Sequence, residues 1–82
     1  MITVKFFAQL RERLGCDQIQ LEGPESASGE QVLQRLQTDR PEWQPILADQ
    51  ELLFAVNQEL KPLASPVRPG DELAFFPPVT GG

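Results

Sequence analysis

The segment that decides the fold occupies residues 69–82 and reads PGDELAFFPPVTGG. Its Pro-Gly-Asp start is typical of a turn, and the alternation that follows predicts a strand over Glu72–Phe76. Two prolines come next, and because proline has no amide hydrogen to donate, they prevent the chain from continuing as part of a sheet. We therefore expect a folded domain over residues 1–76 and an extended tail over residues 77–82.

The rest of the chain predicts the elements that accompany this last strand. Ile2, Val4 and Phe6 alternate with other residues as in a half-buried strand. Ser28 and Gln31 have the spacing of a capping box, which marks the start of the main helix. The predicted elements are, in chain order, a strand over Ile2–Ala8, a short helix over Gln9–Leu14, a strand over Gln18–Glu22, the main helix from its cap Ser28 to Asp39, a packed turn or single helical turn within Pro41–Asp49, a strand over Leu52–Val56 and an edge strand over Glu59–Lys61.

One mixed sheet covered by the main helix is the simplest way to pack these elements. Only one helix is substantial, and the chain is too short for helices on both faces of a sheet. The main helix is expected to connect the first hairpin to a strand that runs parallel to it, as right-handed crossovers do. The predicted fold class is α+β with a β-grasp arrangement: a mixed five-stranded sheet packed on one main helix, plus short helical turns.

The composition excludes several classes of function. The 82 residues carry a net charge of −5, and the seven bases form no stripe, so we expect no nucleic-acid partner. There is no histidine and a single cysteine, Cys16, to which we assign no role. The chain therefore offers no internal disulfide, no recognised metal-ligand spacing and no ready proton shuttle. Without an apolar run long enough to cross a membrane, or a leader, a cytoplasmic location and no membrane partner are expected.

The tail is the first candidate functional feature. Gly81 and Gly82 have no side chains, so this end of the chain can enter a narrow cleft of another protein and adopt the conformation that the cleft requires. The α-carboxylate of Gly82 is ionised at neutral pH, and it is a poor electrophile until a partner converts it to an acyl-adenylate with ATP. A sulfur, amine or thiol nucleophile can then attack, and this chain needs no catalytic side chain of its own.

The second candidate feature is an apolar patch beside the root of the tail. If Ile2, Val4 and Phe6 point to the helix, Phe7 and Phe76 have the opposite parity and face solvent. Leu60, on the edge strand, is expected to join them in a docking surface. The alternative is that one or both phenylalanines only flank the core.

Three segments of the chain resemble one protein family. They read FFAQLRERLG at residues 6–15, AVNQEL at residues 55–60 and PGDELAFFPPVTGG at residues 69–82. Together they resemble the small, sulfur-carrying subunit of molybdopterin synthase, a family with a ubiquitin-like β-grasp fold. Residues 24–51 have little distinguishing resemblance.

The resemblance implies a chemical role for the tail. Gly82 would be adenylated by an ATP-dependent activating enzyme and converted to a thiocarboxylate, with no cofactor bound by the folded domain. Thr80 and Gly81 would help to insert the tail into the large catalytic subunit of molybdopterin synthase. Sulfur would be transferred there to a pterin precursor to build the molybdopterin dithiolene.

The resemblance also implies the partner interface. Phe7, Leu60 and Phe76 match positions of the family's hydrophobic contact, and Pro77 adjoins them. The assembled enzyme is expected to be a heterotetramer, with two large subunits in the centre and one small subunit at each end. Two alternatives remain: a sulfur carrier of thiazole synthesis or ubiquitin-like protein modifier, and a non-catalytic β-grasp adaptor whose tail is incidental.

Overall fold

The computed structural model describes residues 1–22, 27–48 and 52–78. Its strands are β1 (Ile2–Phe6), β2 (Gln18–Leu21), β3 (Ala27–Ser28), β4 (Leu53–Val56), β5 (Glu59–Leu60), β6 (Pro66–Val67) and β7 (Glu72–Phe76). Its helices are α1 (Ala8–Leu14), α2 (Gly29–Asp39) and α3 (Gln44–Leu47), with a 3₁₀ turn at Pro41–Trp43 before α3. The short antiparallel pair β3–β6 was not predicted from the sequence.

Five strands form one mixed sheet in the order β2-β1-β7-β4-β5. β1 and β7 lie side by side and run parallel, with Val4 opposite Leu73, and the other neighbours are antiparallel. The predicted α+β, β-grasp arrangement is therefore confirmed. The expectation that the main helix leads directly to a strand parallel to the first was wrong: β4, which follows the helices, runs antiparallel to β7, and the last strand, β7, is the one parallel to β1.

Backbone geometry determines where β1 and α1 meet. Ala8 has a φ of 57°, in the left-handed region, and a strand cannot continue through such a residue. The prediction that the first strand extends to Ala8 was therefore wrong: β1 ends at Phe6 and α1 begins at Ala8. α1 ends as predicted before Gly15, whose φ of 69° suits a residue without a Cβ. β2, β4 and β5 are each one residue shorter than predicted.

The predicted capping box holds the start of α2. The Ser28 hydroxyl oxygen accepts a hydrogen bond from the Gln31 backbone N–H at 3.2 Å, and the Ser28 N–H donates to the Gln31 side chain at 2.9 Å. Gly29 comes next and lies tightly against its neighbours. A Cβ at Gly29 would be 2.8 Å from the Phe54 ring and 2.9 Å from the Leu63 carbonyl oxygen. The start of α2 therefore lies so close to β4 that only glycine fits at position 29.

One hydrophobic core lies between the sheet and the helices. Its centre is aromatic: Phe6 packs edge-on against Trp43 at 5.4 Å between ring centroids, and Phe54 lies 5.2 Å from Phe75. The predicted turn near Trp43 is confirmed as the 3₁₀ turn and α3, and residues 49–51 lie outside the described part. The buried core residues are Ile2, Val4, Phe6, Leu10, Leu14, Val32, Leu36, Trp43, Leu47, Leu52, Phe54, Val67, Leu73 and Phe75.

Candidate functional site

The outer face of the sheet, away from the core, has a polar half and an apolar half. Opposite residues of neighbouring strands share a face, and the register places Ala55 between Ala74 and Leu60 across three strands. Leu53 likewise lies opposite Phe76. The polar half consists of Thr3, Lys5, Gln18, Gln20 and Glu72, and the apolar half of Leu53, Ala55, Leu60, Ala74 and Phe76, with Phe7 beside Phe76.

Exposure is concentrated in the apolar half. Among the described residues, four large apolar side chains are strongly exposed, and three of them lie here: Leu60 at 66%, Phe7 at 45% and Leu53 at 36%. The fourth is Met1, at the other end of β1. Clustered apolar exposure of this kind is typical of a surface that binds another protein.

A concave site lies within this face, with a volume of about 320 Å³. Two small residues, Ala55 and Ala74, occupy its middle strands and leave room for a side chain of a partner. We call this site the docking depression, and its lining residues are Lys5, Phe7, Ala55, Gln58, Leu60, Glu72, Ala74 and Phe76. Its shape suits one bulky anchor residue of a partner, because binding hot spots are usually large side chains that fill a pocket.

Phe7 and Phe76 contact each other at one side of the depression. Their ring centroids are 6.5 Å apart with planes at 78°, an edge-to-face contact. Phe76 has the predicted outward parity but is only partly exposed, and the Phe7 ring lies against it. Phe7 therefore faces solvent as predicted, whereas Phe76 faces outward but is less exposed than predicted.

The opposite side of the depression is polar. Lys5 and Glu72 form an ion pair there, with Nζ 3.4 Å from the carboxylate, and both side chains are more than a third exposed. Such exposed pairs contribute little to stability, so both groups are available to a partner. Gln58 adds a neutral amide to the same lining. The depression therefore combines an apolar wall with a hydrogen-bonding rim.

The tail begins beside the docking depression. Phe76 both ends β7 and lines the depression, and the next residue, Pro77, is half-buried while Pro78 is exposed. The predicted tail residues Thr80, Gly81 and Gly82 lie outside the described residues, so their roles stay predictions. A protein seated on the depression would lie at the root of the tail.

Neither the cysteine nor the acidic side chains of the described residues form a second site. Cys16 is half-buried after the end of α1, and its thiol donates a hydrogen bond to the Gln18 carbonyl at 3.3 Å. Over residues 1–22, 27–48 and 52–78, no three His, Cys, Asp or Glu side chains are grouped to hold a metal ion. No helix within these ranges has the length and apolar character needed to cross a membrane.

Six lining or neighbouring residues were not predicted from the sequence: Lys5, Leu53, Ala55, Gln58, Glu72 and Ala74. Ala74 could have been found, since it alternates with the inward-facing Leu73 and Phe75 of the same strand. Leu53 and Ala55 were hidden because Leu52–Val56 is apolar throughout, and a continuous apolar run does not show which side faces out. Gln58 lies between the two predicted strands Leu52–Val56 and Glu59–Lys61, where no strand alternation indicates the direction of its side chain.

Several known proteins that are similar in sequence to this chain have the same name. Residues 4–82 match the ThiS family. The "Molybdopterin synthase sulfur carrier subunit" of Haemophilus influenzae is 51% identical over 82 residues, and that of Escherichia coli is 44% identical; each comparison covers 100% of both chains. The human protein of the same name is 31% identical over 86 residues, covering 99% of this chain and 93% of that protein.

Solved structures show the same fold. The crystal structure of SAMP1 from Haloferax volcanii superposes with a TM-score of 0.80 at 30% identity, covering 99% of this chain and 98% of that chain. A protein–protein complex of subunits 1 and 2 of molybdopterin-converting factor from Helicobacter pylori contains a chain that superposes with a TM-score of 0.64 at 21% identity, covering 99% and 97%.

Proposed function

Because the chain belongs to the ThiS family and is homologous along its whole length to molybdopterin synthase sulfur carrier subunits, we propose that it carries sulfur on the carboxyl group of Gly82. The observation that carries the proposal is that relatives of that name are 51% and 44% identical to this chain over its full length. The Gly81-Gly82 sequence supports it, because a chain end without side chains fits a narrow active site. The reducing cytoplasm is the compartment that we assign to it, in keeping with a single unpaired cysteine.

Loading takes two steps, both performed by a partner. An activating enzyme joins a Gly82 carboxylate oxygen to the α-phosphorus of ATP, and pyrophosphate leaves. A hydrosulfide equivalent then attacks the carbonyl carbon, the bond from that carbon to the AMP oxygen breaks, and AMP leaves with the electron pair. The product is a thiocarboxylate, and the folded domain supplies recognition rather than catalytic groups.

Unloading takes place in the large catalytic subunit. The thiocarboxylate sulfur attacks a carbon of the pterin precursor, the bond from that carbon to an oxygen leaving group breaks, and the oxygen takes the electron pair. Water then attacks the glycyl carbonyl. The bond from that carbonyl carbon to sulfur breaks, which leaves sulfur on the pterin and restores the carboxylate on Gly82. A dithiolene contains two sulfur atoms, so each product molecule uses two loaded chains.

The docking depression is the surface that we assign to the large subunit. It is concave, it lies at the root of the tail, and most of the strongly exposed apolar residues of the described chain are beside it. From Pro77 onward the tail can extend by about 20 Å at most. That reach allows Gly82 to enter an active site of a protein seated on the depression, while the sheet remains outside it.

A second acceptor is favoured by one specific similarity. SAMP1 of Haloferax volcanii, one of the structures to which this chain is similar, is called a small archaeal modifier protein in a second structure of it. A lysine amine that attacks the same acyl-adenylate would give an isopeptide and release AMP. This candidate shares the activation step and differs only in the nucleophile.

Intact-mass spectrometry tests the proposal. The chain is incubated with the activating enzyme, ATP and a sulfide source, and the expected product is heavier by the difference between one sulfur and one oxygen atom. A chain that lacks Gly81 and Gly82 is the control and should keep its mass. If an activating enzyme that loads a known carrier leaves this chain unchanged, the proposal is wrong, and a ladder of lysine adducts would favour the second candidate.

A further inference from the structure

The hairpin between β4 and β5 has an unusual residue at its second turn position. Val56 and Glu59 are paired, so the loop consists of two residues, Asn57 and Gln58. Both have positive φ, 51° and 71°, as in a type I′ turn. Such turns favour Asn-Gly, because glycine adopts positive φ without steric cost whereas a glutamine does not. Gln58 is therefore a residue that the turn itself disfavours.

The two turn residues use their side chains differently. The Asn57 side chain accepts a hydrogen bond from the Glu72 N–H at 3.0 Å and donates one to the Asp71 carboxylate at 3.1 Å, which fastens the turn to the start of β7. Asn57 thus has a structural reason to be there. In contrast, Gln58 is exposed, and within the described part of the chain its amide takes part in no hydrogen bond.

Gln58 does line the docking depression, on the polar side with Lys5 and Glu72. The site therefore places a neutral amide, which both donates and accepts hydrogen bonds, opposite an apolar wall that includes Phe7 and Leu60. A partner side chain that fills such a site well has an apolar body and a polar tip. Strained residues that persist without a structural role commonly serve binding.

We infer that Gln58 is a specificity-determining residue of the docking depression, kept in an unfavourable backbone conformation so that its amide hydrogen-bonds the polar tip of an anchor side chain of the large subunit. The inference rests on the proposed function, because the large subunit is the occupant assigned to the depression. It adds the kind of anchor that the depression accepts and the residue that recognises it. Glycine at position 58 would stabilise the turn, but it has no side-chain amide with which to hydrogen-bond the partner.

The test compares two variants of the full chain, Gln58→Gly and Gln58→Ala. Gln58→Gly should raise the melting temperature of the free chain by about 3–6 °C, because it relieves the turn. It should also weaken binding to the large subunit about three- to tenfold, as expected for one lost hydrogen bond. Gln58→Ala should weaken binding equally without the rise in melting temperature, which separates the loss of the amide from added turn flexibility.

Further variants distinguish the possible failures. Leu60→Asp, in the apolar wall, should abolish binding if the large subunit occupies the depression at all; unchanged binding there overturns the assigned surface and this inference with it. If Leu60→Asp abolishes binding but both Gln58 variants bind as tightly as the unmodified chain, only the Gln58 inference is overturned. It is also overturned if Gln58→Gly lowers the melting temperature, since the turn then prefers glutamine.

Discussion

Replacing Leu60 tests the docking surface most sharply, because this side chain is 66% exposed in the free chain. That exposure corresponds to roughly 120 Å² of leucine surface, and burying it in an interface stabilises the complex by about 3 kcal/mol at 25 cal/mol per Å². Leu60→Ala should remove about 2 kcal/mol of this, or roughly a 30-fold rise in Kd. Leu60→Asp should weaken binding further, because a carboxylate would be buried against apolar groups.

The free chain should tolerate both changes. An exposed residue of a two-residue edge strand contributes little to folding, so the free energy of unfolding should change by less than about 0.5 kcal/mol. Isothermal titration with the large subunit measures Kd, and thermal unfolding of each free variant measures stability.

The neighbouring residue provides a matched control. Glu59 is paired with Val56, and Val56 with the inward-facing Leu73, so Glu59 does not share the face of Leu60. Glu59→Ala should bind the large subunit normally. Normal binding by a folded Leu60→Asp variant would refute the assignment of this face, and an equal loss with Glu59→Ala would show that the hairpin matters and not its outer side.

Three further predictions concern single contacts. Gly29→Ala should lower the free energy of unfolding by about 1–3 kcal/mol through overpacking, and a Phe54→Leu background should relieve only part of this loss, because the Leu63 carbonyl oxygen still meets the added Cβ; chemical denaturation of the single and double variants measures both. Ala74→Leu should fill the docking depression and weaken large-subunit binding at least tenfold at unchanged thermal stability, whereas no loss of affinity would mean that the depression is empty in the complex. Asn57→Ala should cost about 1–2 kcal/mol of stability by removing the bonds to Asp71 and Glu72, and a change below 0.5 kcal/mol, measured by urea unfolding, would contradict that role.

The elements with strong local signals were predictable from the sequence. The capping box of Ser28 and Gln31 and the stop at Gly15 use interactions between residues close in the chain, and both are present in the structure. The alternation in β1 and β7 gave the correct inward side because each strand has one face in the core.

Features that depend on distant partners were not predictable. β3 and β6 are two residues each and form only because tertiary packing brings Ala27 opposite Val67. The left-handed Ala8 has no sequence signal, since alanine rarely adopts that conformation. The docking depression likewise requires the register of three strands, which places Ala55 beside Ala74 and Leu60. The alternation of side chains predicted the phenylalanines beside the depression, but it did not predict the two alanines in its middle.

A single-turnover reaction shows whether the sulfur on Gly82 is the sulfur that reaches the pterin. The chain, loaded with isotopically labelled sulfur on Gly82, is mixed with the large subunit and the pterin precursor, and both the chain and the pterin are then analysed by mass spectrometry. We expect the label to move into the dithiolene while the chain returns to the mass of its carboxylate form. Label that stays on the chain, or that is released as free sulfide while the pterin remains unlabelled, would contradict it.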